Sequence, residues 1–343
     1  MNIEIITTPN EDLKESGFGT IKACNDILET TILLGHNTTL NICKTKKDLY
    51  EVVLRKPDLV ILAVKYLSFE NEDDVWLSDY FSKNNINYTG SSREVLKFDS
   101  DKVRAKLHLK NIGIRTANFF TAIPDQYKSA KDLPLSFPLF LKPRDAANGN
   151  GIDDLSLVTT FTEFKSKVLS LYKSFAVPIL VEKYLDGREF TVAVIKTTHG
   201  EIIASPIEIV PMFSTNGLRI LGEQAKIDNL EELKKIEDKA MITTLKKLAI
   251  DVFKNLGIRD FARIDMKTDS SGYCFFMEAN LVPGMKMGSS YFPKAHEIES
   301  NLNYEEVIEL MLSEGLNRCN TIMRINNNVI LNDNTTLTNA INF

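Results

Sequence analysis

Two stretches decide the fold: Asp260-Phe-Ala-Arg-Ile-Asp-Met-Lys267 and Tyr273-Cys-Phe-Phe-Met-Glu-Ala-Asn-Leu281, joined by Thr268-Asp-Ser-Ser-Gly272. Both alternate apolar and polar residues with a period of two, and the join is rich in turn formers, so they read as a β-hairpin. Side chains alternate across a strand, so Ala262, Ile264 and Met266 are expected on one face and Arg263 and Asp265 on the other. In the second strand Phe275, Met277, Ala279 and Leu281 form the expected apolar set, with Glu278 and Asn280 opposite, beside Phe276. A turn centred near Ser271-Gly272 sets Asp265 against Glu278 and Arg263 against Asn280. Like charges directly opposite are destabilising unless something neutralises them. A hard cation does so: carboxylate and amide oxygens without His or Cys suit Mg²⁺ or Mn²⁺ and not zinc. Mg²⁺ commonly takes one or two carboxylates plus substrate phosphates, which makes a nucleotide a natural co-ligand and gives Arg263 developing charge to stabilise. The same residues would also make a plain half-exposed hairpin in which Arg263 bridges the acids.

Working outward, residues 1–100 alternate short apolar runs with helical periodicity: Ile3-Thr7, a helix over Thr20-Leu33, Thr39-Ile42, a helix over Lys47-Leu54, Leu59-Val64 and Tyr88-Thr89. That order predicts an α/β domain with a mainly parallel sheet. Asp99 reads as the N-cap of a helix through Val103, Leu107 and Leu109, which Gly113 stops. Strands are expected at Phe137-Lys142, Ile179-Lys183 and Glu189-Ile195, a helix at Phe161-Leu171, an irregular stretch from Pro206 to Asp228 and a long helix from Leu230 to Leu256. The division expected is 1–100, 101–185, 186–318 and an Asn- and Thr-rich tail at 319–343.

Composition narrows the function. The chain has 343 residues, 43% apolar and 25% charged, ordinary for a soluble globular protein of two or three domains. Lys and Arg number 41 against 46 Asp and Glu, so no cationic surplus exists to hold nucleic acid. The longest apolar run, Leu59-Val64, is too short for a membrane span, and no signal-peptide pattern opens the chain, so a cytoplasmic protein is expected. Cys24, Cys43, Cys274 and Cys319 lack C-x-x-C spacing and read as reduced, structural thiols. His36, His108, His199 and His296 are scattered and read as structural or surface groups.

Arg263-Ile-Asp265 followed by Glu278-Ala-Asn280-Leu-Val-Pro-Gly284-Met285 resembles the C-terminal signature of the ATP-grasp enzymes, closely that of the D-alanine-D-alanine ligases. The resemblance extends through Val181-Glu-Lys-Tyr-Leu-Asp-Gly-Arg-Glu-Phe-Thr-Val192, Phe137-Pro-Leu-Phe-Leu-Lys-Pro143, and Asp101-Lys102 with Gly113-Ile114. It implies an α/β ATP-grasp fold behind an N-terminal Rossmann-like domain, and an ATP- and Mg²⁺-dependent (or Mn²⁺-dependent) ligase. Such a ligase joins small-molecule amino or hydroxy acids through an acylphosphate, and the family often dimerises.

By the same resemblance Lys102 and Lys142 reach nucleotide phosphates, while Gly149 and Gly151 belong to a small loop closing over them. Glu182, Lys183, Tyr184 and Leu185 read the adenine edge, and Glu189 holds the ribose. Asp265, Glu278 and Asn280 are the implied metal ligands, Arg263 and Gly284 the transition-state stabilisers, and Ser289 the grip on the second substrate's carboxylate. Lys226, or else Arg219, stands for a further phosphate-binding lysine, and Glu15 is the one candidate for the first substrate's amine. The family's usual serine and tyrosine lock is missing: Lys142–Leu155 has no serine and Pro211–Asn229 no tyrosine. Competing readings are a related ligase for a different amino or hydroxy acid and an ATP-binding module without turnover.

Overall fold

The computed structural model describes residues 1–9, 17–146, 149–212, 220–222 and 231–320. The chain opens with β1 (Asn2–Thr7), α1 (Ile21–Leu33), β2 (Asn37–Ile42), α2 (Lys46–Arg55) and β3 (Leu59–Leu62). These strands form a parallel sheet in the order β2-β1-β3, extended by a parallel bridge from Val60 to Tyr88. The short hairpin β4 (Tyr66–Leu67) and β5 (Val75–Trp76) leads into α3 (Leu77–Lys83), α4 (Arg93–Ser100) and α5 (Lys102–Asn111). A four-stranded antiparallel sheet follows, ordered β6 (Phe119–Ala122), β9 (Ile179–Lys183), β7 (Leu139–Pro143), β8 (Leu157–Val158), and α6 (Phe161–Phe175) packs on it.

The larger antiparallel sheet has five strands: β10 (Glu189–Lys196), β11 (Ile202–Pro211), β12 (Glu231–Lys234), β13 (Phe261–Thr268) and β14 (Cys274–Asn280), in the order β12-β11-β10-β13-β14. The helices that cover it are α7 (Lys239–Asn255), α8 (Tyr291–Ser300) and α9, over 304–320.

The faces of this sheet explain where a site can exist. On one face Phe190, Val192, Val194, Ala262, Ile264 and Met266 are fully buried against Leu245, Ala249 and Val252 of α7 and against α5. Each of the larger of these side chains, such as Phe190, Ile264 and Met266, contributes about 1.5–3 kcal/mol of burial. On the other face Ala193, Ile195 and Ile207 pack with Phe292 and Ala295 of α8, with α9, and with Ile3, Ile5 and Ile61 of the parallel sheet. That cover stops short of Glu189, Asp265 and Lys267, so polar residues line the uncovered part, across from the four-stranded sheet. Buried Asp260 secures the arrangement: its carboxylate accepts from Gly90 N–H at 2.8 Å and from Arg318 of α9 at 2.7 and 2.8 Å. Gly17 has φ +43°, and a Cβ there would come 1.9 Å from the Ala63 carbonyl oxygen, so the backbone reaches the end of β3 only as glycine.

Four local expectations are corrected. Asp101, not Asp99, caps α5, accepting from Arg104 N–H at 3.1 Å. Asp99 instead accepts from Leu281 N–H at 2.7 Å and pairs with buried Lys65 at 3.0 Å. Residues 206–211 continue β11 rather than an irregular stretch, because Ile207 and Ile209 find buried places against β10. The helix expected from Leu230 starts only at Lys239, where Asp238 accepts from the Ala240 and Met241 amides; residues 231–234 pair with β11 instead. In β14 the apolar alternation changes phase. A bulge between Asp265 and Met266 sends Phe276 into the core and turns Phe275 and Met277 away from it, the reverse of the expectation for these three, while Ala279 and Leu281 are buried as expected.

Candidate active site

The hairpin pairs Arg263 with Asn280 and Asp265 with Glu278, as its alternation predicts. Because of the bulge, Met277 and Glu278 both line the cleft, where strict alternation would have sent one of them inward. Arg263 donates from Nε to Asp265 Oδ1 at 3.1 Å and from a terminal nitrogen to Oδ2 at 2.9 Å. Asp265 also accepts from Thr191 Oγ1 at 2.7 Å and Asn280 Nδ2 at 3.1 Å. Burial works against the Arg263 charge, but Asp265 outweighs it and holds the guanidinium above its usual value. Glu278 meets Lys102, whose ammonium lies 3.4 Å from its carboxylate and donates to the Ala146 carbonyl at 2.6 Å.

Beneath this face lies a buried charged triad. Glu182 of β9 is 1% exposed and contacts Lys106 of α5 at 2.6 Å and Lys142 of β7 at 2.8 Å. Phe140 is the register partner of Glu182, and Lys142 stands two residues on, so both face the same side. Lys106 also donates to Thr116 Oγ1 at 2.9 Å and to the Phe276 carbonyl at 3.3 Å, tying α5 to β14. Burial pushes the Glu182 carboxyl up, but the two ammonium groups outweigh it and hold it below the usual range. Lys142 is held above its usual value by Glu182 and Glu278 against the opposing effect of burial. Lys106 shifts the other way: burial pulls it down to about 8 despite Glu182.

The folded value of Lys106 lies below its unfolded value of 10.5, so between the two the unfolded chain holds more protons. The Lys106 contribution to stability is therefore least favourable below pH 8 and improves as pH rises through that window. Urea unfolding at about pH 7 and about pH 9.5 checks this. The wild type is expected to gain relative to Lys106→Met on going to the higher pH, and an identical pH response of the two proteins would contradict it.

The cleft between the two antiparallel sheets has an empty volume of about 760 Å³. Phe140, Lys142, Glu182, Lys183, Tyr184, Leu185, Glu189, Ile209, Asp265, Lys267, Met277 and Glu278 are among its lining residues, so polar and apolar parts adjoin. Lys183 N–H donates to Asn118 O at 2.8 Å and Tyr184 N–H to Pro138 O at 3.3 Å. Glu189 pairs with Lys267 at 3.3 Å, and the Lys267 ammonium sits 5.6 Å from the centre of the Tyr184 ring.

The remaining expected residues are placed as follows. Gly149 and Gly151 have φ of +75° and +77°; a Cβ on Gly151 would come 2.8 Å from Phe175 and 2.9 Å from Pro143, so its small size serves packing against α6 and β7. A Cβ on Gly284 would come 2.9 Å from Ser290 Oγ, which itself accepts from Lys286 N–H. Ser289 is half-buried in the same turn. Glu15, Lys226 and Arg219 lie outside the described residues, as does 321–343 of the tail. All four cysteines are buried and free. His296 is fully buried beside Ser205 with its ring held down at about 3, a core group, whereas His108 and His199 are exposed.

Sequence reasoning missed Lys106, Thr191 and Tyr291. Lys106 had a signal, since it lies one helical turn after Lys102 and so on the same face of α5. Thr191 had one too, as the polar position facing Asp265 across β10 and β13. Tyr291 had none: its ring lies 5.3 Å from the Arg263 guanidinium only through the placement of α8.

Residues 108–313 match the family described as D-ala D-ala ligase C-terminus. Among relatives, an uncharacterized protein of Sinorhizobium fredii, y4sG, is 30% identical over 210 residues, 60% of each chain. The D-alanine--D-alanine ligase of Aquifex aeolicus is 27% identical over 258 residues, 75% of this chain and 82% of that one. In fold, the chain is similar to the crystal structure of D-alanine--D-alanine ligase from Bacillus anthracis complexed with ATP. The TM-score is 0.72 at 20% identity, covering 94% of this chain and 99% of that one, which establishes the ATP-grasp fold. Since the match spans well over half of its length, this protein belongs to the D-ala D-ala ligase C-terminus family.

Proposed function

We propose that this chain is an ATP-dependent, ADP-forming ligase of the D-alanine–D-alanine ligase type, which activates one carboxylate as an acylphosphate and joins it to the amine of a second amino acid. The observation that carries this reading is the meeting of Asp265 and Glu278 in one cleft, with Arg263 and Asn280 hydrogen-bonded to Asp265 and the buried Lys142–Glu182–Lys106 triad beside them. In the first step the donor carboxylate attacks the γ-phosphate and ADP leaves; in the second, the amine attacks the acyl carbon and phosphate leaves. Lys102 and Lys142 neutralise the phosphates, and Arg263 stabilises the oxyanion of the tetrahedral intermediate.

Two carboxylates and an amide oxygen, with no His or Cys among them, fit Mg²⁺. Asp265, Glu278 and Asn280 would hold it, and when bound it adds positive charge beside the β- and γ-phosphates. The Lys183 and Tyr184 amides are already used, so the Leu185 amide is assigned to the adenine edge and Glu189 to the ribose. A cytoplasmic setting is part of the proposal, since four buried free thiols suit a reducing compartment. The homodimer implied by the resemblance belongs to it too, to be read as a molecular mass by light scattering.

A thermal-shift measurement tests the nucleotide half. Mg·ATP at about a hundred times its Kd is expected to add about 2.7 kcal/mol to stability and raise Tm accordingly. Glu278→Ala should lose most of that gain. No shift of the wild type at millimolar Mg·ATP would remove the proposal.

A further inference from the structure

On the sheet face that carries Arg263, a carboxylate has an unmet demand. Glu231, at the start of β12, accepts a hydrogen bond from the Tyr291 hydroxyl through Oε1, while its Oε2 is buried and has no hydrogen-bond partner. Register places it on the site face. Lys267 pairs with Glu189, Glu189 with Ile209 and Ile209 with Leu233, so Leu233 and Glu231, two residues earlier, share the face of Asp265 and Arg263. The Tyr291 ring spans the gap, with its hydroxyl on Glu231 and the Arg263 guanidinium 5.3 Å from its centre. Burial, then Glu231, hold the Tyr291 hydroxyl well above its usual value, so it stays a proton donor.

Among the described residues none donates to Oε2. The two Arg263 nitrogens that face Asp265 are engaged by it, and Tyr291 has a single proton, already given to Oε1. A buried carboxylate oxygen left without a donor is costly, and the strongest remedy is a cationic donor. An ammonium offers three protons and a full charge; a hydroxyl offers one proton and none.

We infer that Glu231, braced by Tyr291, is an ammonium-binding subsite for an amino-acid substrate. The inference rests on the ligase reading, because it takes the cleft beside Arg263 as the place where amino acids bind. The ammonium has two sources, the α-nitrogen or a side-chain amine, and two pairs of probes separate them. Alanine against lactate reports the α-ammonium, and 2,4-diaminobutyrate against 2-aminobutyrate reports a side-chain ammonium, each as D and L forms.

Calorimetric titration of the four acids into the Mg·ADP-loaded protein reads the subsite without requiring turnover. The wild type is expected to bind the ammonium-bearing member of at least one pair about ten- to a hundredfold more tightly. Glu231→Gln, which keeps the acceptor for Tyr291, should cut that preference to within about threefold while leaving the Mg·ATP thermal shift in place. Tyr291→Phe should weaken it in the same direction by a smaller factor. A preference unchanged in Glu231→Gln, or none in the wild type for either pair, overturns the subsite. Failure of the ligase reading would appear separately, as wild-type protein that binds these acids yet releases no ADP with any of them.

Discussion

Glu182→Gln is expected to reduce the unfolding free energy by about 3–5 kcal/mol, more than any other single change in the cleft. The substitution removes a charge and almost no volume, and it leaves Lys106 and Lys142, both fully buried beside the former carboxylate, with no counter-charge between them. Lys106→Met is expected to cost less, because it leaves the neutral pair of Glu182 and Lys142 intact. The order of the two variants therefore follows the charge that each leaves buried without a partner. Urea midpoints at neutral pH check the order. A Glu182→Gln protein within about 1 kcal/mol of the wild type would mean that the carboxylate is not what neutralises the two buried lysines.

Arg263→Ala is expected to lower kcat about 10²- to 10³-fold while leaving the Mg·ATP thermal shift close to that of the wild type. The fold gives the reason for this split. Asp265 keeps two other donors, Thr191 and Asn280, so it stays in place when the guanidinium is removed. What disappears is positive charge next to the position assigned to the acyl carbon, which matters only when an oxyanion forms there. Loss of the thermal shift in this variant would mean that Arg263 supports the nucleotide site instead.

The sequence made some of this visible and concealed the rest for physical reasons. The pairing of Asp265 with Glu278 was legible because strand alternation has a fixed period and a glycine-containing turn sets the register. The bulge that reverses Phe276 and Met277 was not, since it depends on the core demanding Phe276 beneath β13 and α5. Capping rules alone could not choose between Asp99 and Asp101, two residues apart; Leu281 and Lys65, distant in sequence, claimed Asp99. The run from Glu231 to Asp238 is charged enough to read as the start of a helix, yet its first four residues find pairing partners on β11. Glu231 and Tyr291 lie far apart along the chain and meet only because β12 and α8 converge on one sheet face. Glu182 stood in the sequence as a ligand-reading carboxylate, and its burial between two lysines became visible only when β9, β7 and α5 were assembled.

The central claim is that the cleft couples ATP cleavage to joining two small acids. The most direct test supplies Mg·ATP with pairs of D- and L-amino acids, follows ADP release, and weighs the products by mass spectrometry. ADP release is expected to depend on an amino-acid pair, with one condensed product, lighter than the pair by one water, formed per ADP. Steady ADP release indifferent to every acid, with no condensed product, would contradict it.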